Sequence, residues 1–93
     1  MRIHTQNVRS EDIITEVTRY NIMRDQRMIF LDLHQVLAGK LAGDFICVPN
    51  LINIMAQPRY QGVGKTAEDA LNDCLAKIKE VDVLAIFPQL TAE

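Results

Sequence analysis

Residues 60–81 read YQGVGKTAEDALNDCLAKIKEV, and this stretch specifies the fold more strongly than any other part of the chain. Thr66 followed by Asp69 has the spacing of a capping box, which predicts that a helix begins at about Thr66. Apolar residues then recur every three or four positions, and charged residues occupy the opposite face. These apolar residues are Ala67, Ala70, Leu71, Cys74, Leu75 and Ile78. The pattern predicts an amphipathic helix that ends near residue 81. Gly62 and Gly64 are interpreted as turn residues, since glycine adopts backbone angles that other residues avoid.

The composition predicts one globular domain over residues 1–93. The chain has 93 residues, of which 48% are hydrophobic and 24% are charged. This length is enough for a single hydrophobic core, and the composition is not that of a disordered or fibrous protein. The formal net charge of −2 provides no overall positive field that would attract nucleic acid or an anionic membrane.

The cysteine pattern predicts neither a metal site nor a bound cofactor. Cys47 and Cys74 are the only cysteines, and both lie in apolar surroundings without the spacing of a metal site. We interpret both as small core residues, although the sequence leaves a disulfide between them open. The polar N-terminus and the short apolar runs predict a cytoplasmic protein that does not enter a membrane.

The segment 10–25 is predicted to be a first helix. Ser10 is a good capping residue, and Glu11 and Asp12 follow it in the first turn. Apolar residues recur at helical spacing after this start: Ile13, Ile14, Val17, Tyr20 and Met23.

From Arg27 onward the period changes to that of a strand. Within 28–37 the odd-numbered aliphatic residues face one way, while Asp32 and His34 lie on the other side. Residues 38–44 supply two glycines and several polar residues for a loop, and 45–48 is predicted to be a second strand.

The remaining segments are less regular. Pro49 and Asn50 fit the central positions of a tight turn, so 51–56 is predicted to be a third strand, with a short helix as the alternative. The apolar run 83–87 is either a fourth strand or an arm that packs on the core. On a sheet edge it could pair with a second copy of the chain, and this predicts a homodimer.

These elements predict an α+β fold. We expect an antiparallel three- or four-stranded sheet with two helices on one face, in the order α-β-β-β-α with a possible C-terminal strand.

The candidate catalytic groups do not form a recognisable site. GVGKT ends like a phosphate-binding loop, but Arg59 occupies the position of the first glycine of that motif. His34 and Asp32 lie on one strand face, where the carboxylate could orient the imidazole as a base, but no nucleophile accompanies them. We therefore expect no enzymatic activity.

The turn before the second helix is the candidate contact site for a ligand or nucleic acid. The free amides at the helix start could hold an anion, and a base could stack on the tyrosine. The site residues are Arg59, Tyr60, Gly62, Gly64, Lys65 and Thr66. The alternative function is nucleic-acid binding through this site together with a basic cluster of Arg19, Arg24 and Arg27.

The order of elements resembles the double-stranded RNA-binding domain. The likeness rests on Gly62, Gly64, Thr66 and the pair Ala70-Leu71. The resemblance implies the α-β-β-β-α fold. The lysine cluster by which that family contacts phosphates is replaced here by Ala67, Glu68 and Asp69, so the resemblance implies the fold and not RNA binding.

A second resemblance is to the HicB-type antitoxin domain. It rests on GDFICVPNL at 43–51 and GKTAEDALNDCLAKI at 64–78, and covers about half of the chain. This resemblance implies a small non-enzymatic protein that neutralises or docks onto a partner. The function predicted from the sequence is therefore a non-catalytic protein-interaction or regulatory module that associates with itself, and the alternative is an RNA-binding module.

Overall fold

The computed structural model describes residues 3–52 and 54–91, and over these residues the fold is α+β. Five strands precede one long and one short helix, and single 3₁₀ turns lie before, between and after these elements. The elements are β1 Ile14–Arg24, β2 Arg27–Ala38, β3 Phe45–Leu51, β4 Ile54–Met55, β5 Gly62–Gly64, α1 Ala67–Ile78 and α2 Val83–Ile86. The molecule is elongated, with principal extents of 45 × 28 × 19 Å.

The strands form one antiparallel sheet in which β2 and β3 are central. Among the described residues, β1 pairs only with β2 and forms one edge over its full eleven residues. The opposite edge is divided between two short strands, because β5 pairs with residues 45–47 of β3 and β4 pairs with residues 50–51. The long strand and the short strands therefore lie at opposite edges of the sheet.

A tight turn connects β1 to β2. Arg24 lies opposite Arg27, and the two residues between them, Asp25 and Gln26, have positive φ angles of 52° and 61°. Two successive residues in the left-handed region form a type I′ turn, whose twist matches that of the flanking strands. The turn thereby sets the register of the whole β1–β2 hairpin.

The core lies between α1 and one face of the sheet, which we call the helix face. Alternate residues of β2 and β3 point into it, as expected from the two-residue period of a strand. The buried apolar side chains of this core are Ile29, Leu31, Leu33, Cys47, Ala56, Ala70, Cys74, Ile78, Val83, Ile86 and Phe87. The other side of the sheet, the outer face, carries the even-numbered residues of β2 and the odd-numbered residues of β1.

The prediction for the second helix is confirmed at its start. The Thr66 hydroxyl accepts a hydrogen bond from the amide of Asp69 (3.1 Å), as the capping-box spacing predicts. The helix ends at Ile78, three residues before the predicted end. Its buried residues are those of the predicted apolar stripe: Ala70, Cys74 and Ile78.

The interpretation of Gly62 and Gly64 as turn residues is wrong. Both lie in strand β5, and neither has a positive φ. Glycine is required at 62 for a different reason, because a Cβ there would lie 2.2 Å from the carbonyl oxygen of Ala70 and 2.3 Å from the amide nitrogen of Cys74. The backbone of β5 therefore contacts the backbone of α1 directly.

The predicted first helix over 10–25 is wrong, since these residues contain β1. Five of the eleven residues of this strand are β-branched: Ile14, Thr15, Val17, Thr18 and Ile22. Such side chains are restricted in a helix and fit a pleated strand, so local preference favoured the strand over the helical spacing of the apolar residues. Because there is no helix at 10–25, the predicted order α-β-β-β-α is also wrong. The predicted layer of two helices formed by 10–25 and 66–81 is wrong for the same reason.

The predicted turn at Pro49–Asn50 is also wrong, because both residues lie in β3. Pro49 lies between the part of β3 that pairs with β5 and the part that pairs with β4. Proline is tolerated in a strand where its missing N–H faces no partner. The predicted strand 51–56 is reduced to the two residues of β4, and its residue 53 lies outside the described residues.

The strand alternative for 83–87 is wrong, and the packing-arm alternative is confirmed. Val83–Ile86 form α2, and Val83, Ile86 and Phe87 are buried in the core. This segment does not form a sheet edge, and the predicted homodimer has no basis in strand pairing by 83–87. The strand predicted at 28–37 is confirmed as β2.

Candidate functional site

The residues predicted to contact a ligand are engaged within the chain. The guanidinium carbon of Arg59 lies 4.9 Å from the ring centroid of Tyr60, and the Tyr60 ring packs partly buried against the core. The carbonyl oxygen of Tyr60 accepts a weak hydrogen bond from Cys74 Sγ (3.5 Å). One face of the ring is therefore taken by a cation of the same chain.

The helix start is likewise occupied by contacts within the chain. Lys65 Nζ forms a salt bridge with Asp44, and the Thr66 hydroxyl caps the helix. Gly62 and Gly64 lie under α1, where they permit close packing. The structure thus places the predicted residues next to one another from the 3₁₀ turn at 58–60 through β5 to the helix start, and each makes contacts within the chain there.

The arginines predicted to form a basic cluster lie on different faces. Arg19 points to the outer face, where its guanidinium carbon lies 4.3 Å from the ring centroid of Phe30. Arg24 donates hydrogen bonds to the carbonyl oxygens of Ile78 and Val81 (2.9 Å to Val81), which ties the hairpin to the end of α1. Arg19 and Arg24 therefore do not form one cationic surface.

Arg27 lies beside a shallow pocket at the β1–β2 turn. The pocket has a volume of about 370 Å³ and is lined by Asp25, Arg27, Asp82, Val83 and Leu84. Two carboxylates and one guanidinium in so open a depression do not form a cationic site for an anion.

Asp32 is the most buried charged residue described, at 5% exposure. Its carboxylate accepts hydrogen bonds from Arg19 Nε (2.7 Å), Arg19 Nη2 (3.0 Å) and Asn50 Nδ2 (2.8 Å). The hydrogen bonds from Arg19 hold the pKa of Asp32 below its usual value, against the opposing effect of burial. Asp32 is therefore ionised at neutral pH and joins β1, β2 and β3 on the outer face.

The predicted acid–base pair does not form a relay. His34 lies on the same face as Asp32, but its Nδ1 is hydrogen-bonded to the Thr15 hydroxyl (2.9 Å), while the Asp32 carboxylate is bonded to Arg19 and Asn50. The imidazole is therefore oriented by a hydroxyl group, and its Nδ1 is not hydrogen-bonded to the Asp32 carboxylate. These hydrogen bonds join neighbouring strands of the sheet, because Thr15 and Arg19 lie in β1 and Asn50 lies in β3.

The two cysteines lie in the core. Cys47 and Cys74 are free and fully buried between β3 and α1. A hydrogen bond with Cys74 and burial raise the pKa of the Cys47 thiol, so this group stays protonated at neutral pH. A protonated buried thiol is a poor nucleophile.

The surface that sequence reasoning missed is the free edge of β1, formed by the backbone of residues 14–24. Every residue from Glu16 to Asn21 is exposed, so the middle of this strand is covered on neither face. Its exposed large side chains include Val17 at 49%, Tyr20 at 41% and Met23 at 65%. The β-branched content of 14–24 is the signal that could have identified it as a strand.

The two edges of the sheet differ in their capacity to bind another strand. An unpaired edge presents free N–H and C=O groups that can accept a further strand, and short edge strands limit this exposure. β4 and β5 have two and three residues, whereas β1 has eleven. Neither proline nor glycine interrupts β1. The edge of β1 is therefore the better template for pairing.

Comparison of the chain with protein-family models, with curated proteins and with solved structures gave no significant match. In the described part of the chain, no helix is long and apolar enough to span a bilayer. Residues 3–52 and 54–91 bring together no group of three or more histidine, cysteine or acidic side chains that could hold a metal ion.

Proposed function

We propose that this chain is a small non-catalytic protein-interaction module that associates with itself through the edge of β1. The observation that carries the proposal is the eleven-residue edge strand, of which the central residues are exposed on both faces. Strand addition at such an edge provides affinity through main-chain hydrogen bonds. The apolar residues Val17 and Met23, both on the outer face, supply further area to bury.

The absence of catalysis is part of the proposal and is supported by the state of the reactive groups. Asp32 is held by Arg19 and Asn50, and His34 is bonded to Thr15. The Cys47 thiol is buried and its raised pKa keeps it protonated. None of these groups combines a free functional atom with a neighbour that would activate it.

The alternative of RNA binding is less well supported by the charges. Lys65 is neutralised by Asp44, and Arg19 is neutralised by Asp32. A protein that binds phosphates needs cations free to replace the counterions of the nucleic acid. We therefore rank RNA binding second.

The proposal is tested by sedimentation equilibrium of the wild type and two lysine variants. Val17→Lys places a charge on the β1 edge, whereas Val63→Lys places the same charge on β5, on the same face of the sheet and at a similar exposure of 55%. We expect Val17→Lys to raise the dissociation constant of the dimer at least about tenfold, which is about 1.4 kcal/mol, and Val63→Lys to leave it unchanged. Circular dichroism establishes that both variants are folded.

Two outcomes would contradict the proposal. A wild type that is monomeric at high protein concentration has no self-association to explain. Equal effects of the two lysines would place the interface elsewhere. Adding short double-stranded RNA at low and moderate salt tests the alternative, because binding that weakens steeply with salt would favour the RNA-binding module.

A further inference from the structure

The β1–β2 turn determines which backbone groups of β1 face the open edge. In a two-residue type I′ hairpin, the residues that flank the turn form a hydrogen-bonded pair, here Arg24 and Arg27. Hydrogen-bonded and non-hydrogen-bonded pairs alternate along an antiparallel ladder. The even-numbered residues of β1 therefore bond to β2, and the odd-numbered residues from 15 to 23 direct their N–H and C=O groups to the open edge.

Two-fold symmetry restricts how two such edges can pair. Antiparallel strands related by a two-fold axis have that axis perpendicular to the sheet, so both copies present the same face on the same side. Odd-numbered residues then lie opposite odd-numbered residues, and even opposite even. This matches the requirement that the outward-directed odd residues bond to each other across the interface.

The charges of β1 distinguish the remaining registers. The strand has one acidic residue, Glu16, and two basic residues, Arg19 and Arg24. Glu16 cannot lie opposite Arg19, because one number is even and the other odd. It lies opposite Arg24 only when the axis passes through Tyr20, midway between them. Opposite charges at directly facing positions stabilise an antiparallel pair.

The same register also pairs apolar with apolar groups. With the axis at Tyr20, Val17 of one copy faces Met23 of the other, and the two Tyr20 rings face each other on the helix side. An axis at Arg19 would instead place two guanidinium groups opposite each other. The register at Tyr20 is thus favoured independently by the outer face and by the charges.

We propose that two copies of this chain pair antiparallel along β1 around a two-fold axis at Tyr20, forming one continuous sheet. This inference rests on the proposed function and specifies its partner and register. The hydrogen bonds from Arg24 to the carbonyl oxygens of Ile78 and Val81 hold its guanidinium near the end of the strand. Glu16 of the second copy meets this group on the helix face, at both ends of the symmetric interface.

Cysteine cross-linking tests the register. In the proposed dimer the two Tyr20 residues form a non-hydrogen-bonded pair, with Cβ atoms about 4.5–5.5 Å apart, close to the spacing of a disulfide. We expect Tyr20→Cys to form a covalent dimer under mild oxidation. Thr18→Cys and Ile22→Cys alone should not cross-link, but a mixture of the two should, because residue 18 faces residue 22. Cys47 and Cys74 are fully buried, and the wild type serves as the control for their reactivity.

The outcomes separate this inference from the proposed function. A wild type that dimerises while Tyr20→Cys cross-links no faster than Thr18→Cys overturns the register and leaves the interaction module intact. A monomeric wild type overturns both. A Thr18→Cys and Ile22→Cys mixture that cross-links at the rate of the single variants also overturns the register.

Hydrogen exchange provides a second measurement without substitution. In the monomer, only the even-numbered amides of β1 bond to β2, so those of Val17, Arg19 and Asn21 exchange rapidly. We expect these three amides to become protected at least about tenfold as protein concentration is raised and dimers form. Protection that does not change across a concentration range in which sedimentation shows dimers would refute pairing along this edge.

A charge reversal tests the proposed ion pair. Glu16→Lys places a lysine opposite Arg24 twice in the symmetric dimer, so we expect the dissociation constant to rise about tenfold at low salt and less at high salt. Glu11→Lys makes the same change at an exposed position outside β1 and serves as the matched control. Equal effects of the two reversals would contradict the register.

Discussion

Replacing Gly62 with alanine is expected to separate the helix from the sheet. The new Cβ would lie 2.2 Å from the carbonyl oxygen of Ala70, 2.3 Å from the amide nitrogen of Cys74 and 2.8 Å from the Cα of Cys74. All three atoms belong to the backbone of α1, so no side-chain rotation can move them away. Relief of the clash requires α1 to move by about 1 Å relative to β5, since close non-bonded contacts lie near 3.5 Å.

The expected loss of stability follows from the side chains of α1 that are buried in the core. Ala70, Cys74 and Ile78 are fully buried beneath this helix, and a shift of its backbone loosens all three contacts. Overpacking a core costs about 1–3 kcal/mol, and rigid backbone neighbours favour the upper end. Alanine recovers less than about 1 kcal/mol by restricting the unfolded chain. We expect Gly62→Ala to lower the free energy of unfolding by about 3 kcal/mol, out of about 5–14 kcal/mol for a chain of this length.

Urea unfolding followed by circular dichroism measures this loss. With a slope of about 1.5 kcal/mol per molar urea, the midpoint should fall by about 2 M. Gly43→Ala is the matched control, because Gly43 has a φ of +92° but, apart from its two neighbours in the chain, no atom of the described residues lies within 4 Å of the position of a Cβ. It should cost about 1 kcal/mol through backbone strain alone. A Gly62→Ala variant that loses no more stability than Gly43→Ala would refute the argument from close packing.

Substitutions at three further positions test local features of the fold by urea unfolding. Asp32→Asn should lower the free energy of unfolding by about 2 kcal/mol at neutral pH. Because the folded pKa of Asp32 is lowered, the contribution of its carboxylate to stability is complete above the unfolded pKa of about 3.9 and is lost as pH falls through the folded pKa. The variant should lack this pH-dependent contribution. Gln26→Gly should add about 1 kcal/mol by removing the strain of a non-glycine residue with a φ of 61°, and an unchanged midpoint would count against the type I′ assignment. Thr66→Ala should cost about 1 kcal/mol through the lost cap, whereas Thr66→Ser should retain most of it.

The parts of the fold that were predictable are those in which pattern and burial coincide. α1 presents Ala70, Cys74 and Ile78 to the core at helical spacing, and β2 presents Ile29 and Leu31 at strand spacing. Each element has one buried face, so the positions of its apolar residues report its geometry directly. The capping pair at the start of α1 adds an independent local signal.

Other elements depended on contacts distant in sequence. The residues around Pro49 predict a turn. Proline is tolerated at this position of β3 because the neighbouring strand changes there from β5 to β4. Gly62 was predicted to be a turn residue, but glycine is required there because the α1 backbone approaches it closely. Neither fact follows from residues near it in the chain.

The contacts of the predicted site residues also depend on parts of the chain that are distant in sequence. Lys65 and Arg59 look free in the sequence, but Asp44 and the ring of Tyr60 meet them in the fold. Conversely, Arg19 and Asp32 are thirteen positions apart and join only through the register of the hairpin. Charge in a sequence shows what a side chain can bind, and the fold determines whether it is still available.

The strand that was misread is also the strand to which we assign the function, and the two facts have one cause. An edge strand exposed on both faces has no buried side within its own chain, so its apolar residues need not alternate. In β1 the exposed Val17, Tyr20 and Met23 instead fall at a spacing of three residues, which imitates a helix. Under the proposed pairing these residues acquire partners, since Val17 faces Met23 and Tyr20 faces itself. The three-residue spacing of the apolar side chains in β1 is then explained by an interface, because the second copy buries side chains that remain exposed in a single chain.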